Sequence, residues 1–377
     1  MEVTTRLYSI VTGNDNLEFL YQLKKFPVFM GCTSESEEKD LFADMTWVID
    51  KDSGMIQLRD LLPLEVVYSG YHSEALGSMW TRHHAAFGSF VKKYSKGDIL
   101  EIGGGNGALA LDYIKNSTQK WTIIEAQPLF SGNDKIKVIT GFFDENFDSQ
   151  KEGIMVDTIV HSHVMEHIID PNTMLQAIRK ILPVGGRHLF SIPNLEIWLR
   201  KNNNALHFEH TLFLTETMID FLLTKNHFKI LHKEYFDEHS IFYETEVSED
   251  NIETLLVPNK YTEYKKIYLD MVSYYESEVT RLNHLINDCP GPVFLFGAHI
   301  FSQFLIYMGL NLDKIKAVLD NSGIKQGKRL YGTSLFVKSP LSIETLDEAY
   351  VILKAGEYQQ EIKQQLISLN HNVTIWE

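Results

Sequence analysis

The segment Asp98–Gly107, reading Asp-Ile-Leu-Glu-Ile-Gly-Gly-Gly-Asn-Gly, constrains the fold of this chain more than any other. An apolar run, Ile99–Ile102, carries Glu101 and passes through Gly103, Gly104, Gly105, Asn106 and Gly107 into Ala108-Leu109-Ala110. The pattern predicts a strand, a tight turn and a helix. Without a Cβ, glycine lets the backbone turn sharply and lets a ligand lie almost on the main chain. Exposed N–H groups at the helix start favour electron-rich ligand atoms, whereas Glu101 suits a ligand carrying positive charge. The turn alone leaves the ligand open. Gly103-x-Gly105-x-x-Ala108 also satisfies the dinucleotide fingerprint, and a tight turn without any ligand has the same form.

The surrounding chain alternates strands and helices, which predicts a parallel sheet. Predicted strands are Ile99–Ile102, Trp121–Glu125, Ile136–Thr140, Thr158–His161 and His188–Ile192, with helices near 107–115 and 172–182. The second helix follows Asp170-Pro171, an N-cap and an N1 proline. Before this block, residues 1 to about 65 read as short strand-like pieces, and Tyr68–Lys93 as a helical stretch. After a polar helix over Lys260–Asn287, a second α/β block follows. It comprises Val293–Phe296, a helix over 300–309, Ile315–Leu319, Tyr350–Lys354, a helix over 357–368 and Val373–Trp376. The expected organisation is a small module over 1–67, a central α/β domain over 68–255 and a C-terminal α/β domain over 256–377.

Glu125 ends the second of these strands, about 20 residues beyond the glycine loop, where an acidic side chain can accept both hydrogen bonds of a ribose diol. The fourth strand runs into His161-Ser162-His163-Val164-Met165-Glu166-His167 and then Asp170-Pro171. Ligands in open parallel sheets sit at the carboxyl ends of strands, so this segment should border the pocket. These three features, in order and spacing, resemble class I S-adenosylmethionine-dependent methyltransferases. The resemblance implies a Rossmann-like domain with S-adenosylmethionine as cofactor. It places Glu101 and Gly103 by the methionine moiety and Glu125 at the ribose, with Gly105, Asn106, Gly107 and Ala126 as further cofactor-site residues. Gly141-Phe142-Phe143-Asp144 would flank the adenine, and Ser162, His163 and His167 would complete the cofactor site. His161, His163, Glu166 and His167 also have the residue types of a metal site. The resemblance accounts for most of them without one, and no metal is expected.

A finer resemblance, covering nearly the whole chain, is to nucleotide-sugar C-methyltransferases. Asn204-Ala205-Leu206-His207-Phe208-Glu209-His210-Thr211-Leu212-Phe213 is similar to their Tyr-His-Glu-His-x-x-Tyr-Phe segment. Phe296-Gly297-Ala298, Val318-Leu319-Asp320-Asn321 and Lys325-Gln326-Gly327 are similar to their C-terminal substrate-side motifs. By that resemblance, His210 is the base, with Glu209, His207, Tyr71 and His72 as further catalytic candidates. Asn194, Gly297, Ala298 and Lys325 are substrate-binding candidates. Two departures stand out. The family often opens with a zinc ribbon of two Cys-x-x-Cys-Gly knuckles. The matching stretches, Tyr8–Gly13 and Asp50–Gly54, hold no cysteine, so a metal-free ribbon held by packing, with Phe26, Phe29 and Trp47 helping, is expected. In the catalytic segment His207 stands where the family has a tyrosine donor, and Phe208 where it has its next histidine.

C-methylation beside a sugar ketone requires a base for the α-proton and donors that stabilise the enolate. Methyl transfer to a sugar oxygen or nitrogen, as in polysaccharide-precursor modification, requires less and is the alternative. An inactive cofactor-binding partner protein is a further one. Bulk properties narrow the partners: a net charge of −15 without a basic stretch argues against nucleic acid and anionic membrane surfaces. The longest apolar stretch, Pro292–Leu310, is broken by polar residues and does not read as a membrane span. Only Cys32 and Cys289 are present, and no signal-peptide pattern opens the chain, so a reducing cytoplasm is the expected location.

Overall fold

The computed structural model describes residues 3–68, 78–202 and 207–377. In the first part, strand β1 (Leu17–Pro27) pairs antiparallel with β2 (Phe42–Asp50), and β2 with β3 (Ile56–Leu58). These are longer strands than the short pieces expected. The register shifts between Phe19 and Tyr21 and again between Leu23 and Phe26, where Lys25 takes φ +50° and its N–H donates to Asp44 Oδ1 at 3.0 Å. Such bulges break the period-2 alternation by which a strand is recognised in sequence.

The turns Tyr8–Gly13 and Asp50–Gly54 come together around one fully buried carboxylate. Asp50 Oδ2 accepts from Ser53 Oγ at 2.6 Å, Thr12 Oγ1 at 2.9 Å and Asn14 Nδ2 at 3.4 Å, while Oδ1 accepts from the Asp52 N–H at 2.9 Å. Packing alone therefore does not hold the module, contrary to expectation. Its aromatics face outward to the other regions: Phe26 meets Phe208 and Tyr307, Trp47 meets Phe213 and Tyr268, and Phe29 meets Tyr331.

The central region runs α1 (Ser78–Tyr94), β4 (Ile99–Ile102), α2 (Ala108–Tyr113), β5 (Trp121–Glu125), β6 (Ile136–Thr140), β7 (Thr158–Ser162), α3 (Pro171–Ile181) and β8 (Arg187–Pro193). It continues through α4 (Leu195–Arg200), α5 (Glu216–Lys225), β9 (Phe228–Phe236) and β10 (Ser240–Val247). The sheet order is β9-β10-β8-β7-β4-β5-β6. Strands β8, β7, β4, β5 and β6 are parallel, whereas β10 is antiparallel to both β8 and β9. The predicted parallel strands coincide with the observed ones to within a residue, and Asp170 caps α3 by accepting from the Asn172 and Thr173 N–H groups. The β9–β10 pair was not foreseen. Its outer strand, Phe-Lys-Ile-Leu-His-Lys-Glu-Tyr-Phe, is a mostly solvated edge strand with no clean alternation.

Helix α6 (Tyr261–Asp288) leads to a five-stranded parallel sheet of β11 (Val293–Phe296), β12 (Ile315–Leu319), β13 (Val337–Lys338), β14 (Ala349–Leu353) and β15 (Val373–Trp376). Its order is β13-β12-β11-β14-β15, with helices α7 (Ile300–Tyr307) and α8 (Gln359–Leu369). The first and third regions are joined directly: Cys32–Thr33 pairs antiparallel with Arg329–Leu330, and Arg329 forms an ion pair with Asp40 at 2.6 Å. Among the described residues, no helix is long and apolar enough to cross a membrane.

Candidate functional site

Chain order reverses between β4 and β7, where the connections leave toward opposite edges of the sheet, and crevices at such points receive ligands. A cavity of about 1170 Å³ opens there. One wall is made by Gly103–Asn106 after β4, Glu125–Gln127 after β5, Gly141–Glu145 after β6 and the residues that follow β7. Phe296, Gly297, His299, Asp320, Lys325 and Lys354 of the C-terminal sheet border it as well. Among the described residues, seven histidines line it: His84, His163, His167, His207, His210, His239 and His299.

The glycine turn is built as its composition requires. A Cβ on Gly103, at φ +76°, would lie 2.8 Å from Val164 Cγ2, whereas one on Gly105, at φ +51°, would meet no protein atom within 4 Å. Gly105 is thus the point where the main chain lies open to the cavity. Its N–H donates to Glu125 Oε2 at 2.9 Å, and the Gln127 N–H donates to Oε1 at 3.0 Å. Glu125 is held firmly by these bonds, and each oxygen retains a further acceptor site. Glu101 is buried beneath the loop and accepts from Trp121 Nε1 at 2.8 Å. Burial pushes its carboxyl up to about 7, against the Trp121 hydrogen bond and with help from Glu125.

Beyond β7 the backbone takes φ +53° at His163, which breaks strand alternation and separates the two histidines of His161-Ser162-His163. His161 turns into the sheet and meets His188, Nε2 to Nε2, at 2.9 Å, stacked on Phe190. It is absent from the cavity wall, whereas His163 is on it. Glu166 is fully buried, and its carboxyl is pushed up to about 8 by desolvation. His167 Nδ1 lies 3.0 Å from Tyr68 Oη and 3.8 Å from Glu209 Oε2.

The segment carrying His207, Glu209 and His210 is brought over this wall by the N-terminal module. Leu58 of β3 donates its N–H to the Thr211 carbonyl at 2.9 Å, and Phe213 donates to Ile56 at 3.0 Å. Arg6 donates to the carbonyls of Thr211 at 2.9 Å and Ile169 at 2.5 Å. His210 packs between His207 and His167, with ring centroids 4.0 and 4.5 Å away. Burial, with His167 and His299 nearby, drives the His210 imidazole well below its usual range and keeps it neutral at pH 7.

Glu101, Gly103, Gly105, Asn106, Glu125, Ala126, Phe142, Phe143, Ser162, His163 and His167 all line the cavity, as do His207, Glu209, His210, Gly297 and Lys325. Three expected residues do not. Gly107 serves as N-cap of α2, at φ +74° and close against Phe130. Asn194 stands at the N-terminus of α4. Ala298 is fully buried, with its N–H already donated to Asp320 Oδ2 at 2.8 Å, so it offers no donor to a substrate phosphate. Lys325 reaches the same carboxylate oxygen at 3.3 Å. Tyr71 and His72 lie outside the described residues. Tyr68, His239 and His299 were not singled out as site residues. His299 follows the Gly297-Ala298 turn and was within reach of that motif, whereas His239 lies in the unforeseen β9–β10 turn.

This architecture, a Rossmann-like sheet with the cavity at its reversal point, is matched by known families. A methyltransferase domain family matches residues 79–233, and a C-methyltransferase C-terminal domain family matches residues 248–376. No curated protein matches the chain significantly. Among solved structures, the chain is similar to the N-methyltransferase NodS from Bradyrhizobium japonicum WM9. The identity is 18% and the TM-score 0.35, over 45% of this chain and 97% of that one. The complex of NodS with S-adenosyl-l-homocysteine gives 17% identity and a TM-score of 0.37, over 46% and 90%. An S-adenosylmethionine dependent methyltransferase from Mesorhizobium loti gives 12% and 0.35, over 45% and 98%. The protein is a methyltransferase whose cofactor is S-adenosylmethionine. More particularly, it joins that catalytic domain to a C-methyltransferase C-terminal domain.

Proposed function

We propose that this enzyme transfers a methyl group to carbon of a nucleotide-activated keto sugar, with His210 as the base that forms the enolate. The observation that carries the reading is the continuity of the cavity. It runs from the glycine turn and Glu125 to Gly297 and Lys325, past His207, Glu209 and His210. A volume of about 1170 Å³ accommodates a cofactor and a second ligand of nucleotide size. The cofactor domain would span residues 68–255 and the substrate-side domain 256–377.

In the proposed reaction Gly103–Asn106 would hold the sulfonium cofactor, with Glu125 for its ribose and Glu101 for its α-ammonium. Neutral His210 removes the proton α to the ketone. When bound, the cofactor would supply its methyl group to the enolate carbon, its carbon–sulfur bond breaking to leave S-adenosylhomocysteine. Glu209 orients the sugar hydroxyls or the base. The second reading, methylation of a sugar oxygen, is favoured by one feature: His207 stands at the place where the resembling family has its enolate-stabilising tyrosine.

Incubation with methyl-labelled cofactor and a panel of nucleotide 4-keto sugars, followed by NMR, tests both. A new carbon–carbon bond to the label is expected. A label on oxygen replaces the first reading with the second, and no transfer to any sugar removes both. In the productive reaction His210→Ala should lower kcat by about 10²–10⁴-fold while leaving cofactor affinity unchanged. Unaltered turnover would remove His210 as base.

A further inference from the structure

Three imidazoles from distant parts of the chain converge beside the cavity beneath Trp80. They are His83 on α1, His163 just after β7 and His239 in the turn between β9 and β10. One ring nitrogen from each lies within 4.8 Å of the other two. The Trp80 ring covers them edge-on, with centroids 5.2, 5.0 and 5.1 Å from those of His83, His163 and His239.

His83 is the anomalous member. It is fully buried, and among the described residues neither Nδ1 nor Nε2 has a hydrogen-bond partner. Phe87, Phe236 and Phe242 surround it with centroids at 6.1, 5.4 and 5.3 Å. A neutral imidazole carries one donor and one lone pair, and leaving such groups unmet in an apolar box costs about 1–3 kcal/mol each. Phenylalanine would fill the same box without that cost. The other two histidines supply what His83 lacks. His163 Nδ1 faces a carboxyl oxygen of Glu166 at 3.6 Å, longer than a hydrogen bond, on the far side of the ring from Nε2. His163 Nε2 and His239 Nδ1 flank Ser240 Oγ at 2.9 and 2.6 Å, which places a fourth donor beside the group.

We propose that His83, His163 and His239 form a divalent transition-metal site, of the kind that takes Zn²⁺, on the wall of the cavity. A set of neutral imidazoles selects zinc, cobalt, nickel or copper over magnesium and calcium. Zinc–nitrogen bonds of about 2.0–2.1 Å need the three nitrogens somewhat closer than they stand, within the reach of side-chain rotation. The ion fastens α1, the β7 loop and the β9–β10 turn to one another beside the cofactor pocket. A second grouping, Glu166 with His167 and His210, is less suited, because His167 already faces Tyr68 and Glu209. The proposal departs from the expectation of no metal, which in this part of the chain weighed residues 161–167 alone. His83 and His239 carry no ligand spacing relative to that segment. The site stands on its own geometry, whichever acceptor is methylated.

The test uses the full chain, stripped with a chelator and titrated with Zn²⁺ by calorimetry and with Co²⁺ by visible absorption. One equivalent of each ion is expected to bind, with a rise in Tm and a Co²⁺ spectrum free of thiolate charge transfer. His83→Phe, which suits its aromatic box, should weaken Zn²⁺ affinity at least 100-fold and still bind S-adenosylhomocysteine. If that variant fails to fold, His239→Asn is expected to show the same loss. Three outcomes overturn the proposal: no ion taken up, with an ordered water alone satisfying His83; Zn²⁺ affinity unchanged in both variants; or thiolate bands that assign the ion to Cys32 or Cys289.

Discussion

Asp50 and His83 are equally buried, and their surroundings are opposite. Around Asp50 both carboxylate oxygens are taken up, by Ser53, Thr12, Asn14 and the Asp52 N–H. Around His83 neither ring nitrogen has a partner among the described residues. The Asp50 knot joins the turns Tyr8–Gly13 and Asp50–Gly54 by hydrogen bonds, without any thiolate. The histidine group sits on the wall of a ligand cavity and keeps its valence open. Most buried polar groups are satisfied from within the chain, and one left unpaired beside a ligand cavity is the one to test for a partner from outside.

The most damaging way to break this contrast is Asp50→Ala. It would orphan the Ser53, Thr12 and Asn14 donors and the Asp52 N–H at once. Urea denaturation should show a loss of about 3–5 kcal/mol, since each buried group left unpaired costs about 1–3 kcal/mol. A loss below about 1 kcal/mol would show that packing against Phe208, Phe213 and Tyr331 carries the module by itself.

Arg6→Ala asks whether the saturated region also serves the open one. Its guanidinium is buried and donates to the carbonyls of Leu58, Ile169 and Thr211, across the first and second regions. Removal should cost about 2–3 kcal/mol, because it takes hydrogen bonds from carbonyls that are buried or partly buried. It should also lower kcat by about tenfold through misplacement of His210, with cofactor affinity nearly unchanged. Steady-state kinetics beside calorimetry separates the two effects. A change confined to cofactor affinity would place the N-terminal module at the wrong end of the cavity.

How much of this could be read from the chain follows from the range of the interactions. The glycine turn, Glu125 and the Asp170 cap are written in neighbouring residues, each governed by local backbone requirements, and all lie where expected. The Asp50 knot and the histidine group join residues brought together only by tertiary structure. Nothing near Asp50 marks it as the replacement for four thiolates. His239 sits on a hairpin whose polar outer strand gives no periodic signal. Ala298 shows a related limit: the Gly-Ala turn is visible in sequence, but the Asp320 carboxylate that occupies its N–H arrives from the next strand. The bulged β1–β2 pair shows the same limit within one sheet, since the extra residues near Lys25 erase the alternation.

Glu101 offers the smallest effect and the sharpest test of the contrast, because it stands between the two extremes. It is as buried as Asp50, yet Trp121 is its one hydrogen-bond donor among the described residues, and its carboxyl is raised to about 7. In the folded protein without ligand, the proton therefore stays on well above the pH at which the unfolded chain releases it. Between the ordinary value of 4.5 and about 7 the native state holds more protons than the unfolded one, so this group makes stability fall as pH rises through that window. Cofactor binding should run the other way. The α-ammonium of S-adenosylmethionine prefers the ionised carboxylate, so affinity should increase with pH and level off above about 7. Between pH 8 and pH 6 the loss should be roughly tenfold, about 1.4 kcal/mol. Glu101→Gln should bind weakly and without that slope. Calorimetric titration across this range checks both curves. A wild-type affinity independent of pH would mean that Glu101 is, like Asp50, a scaffold carboxylate, and that the cationic end of the cofactor is held elsewhere.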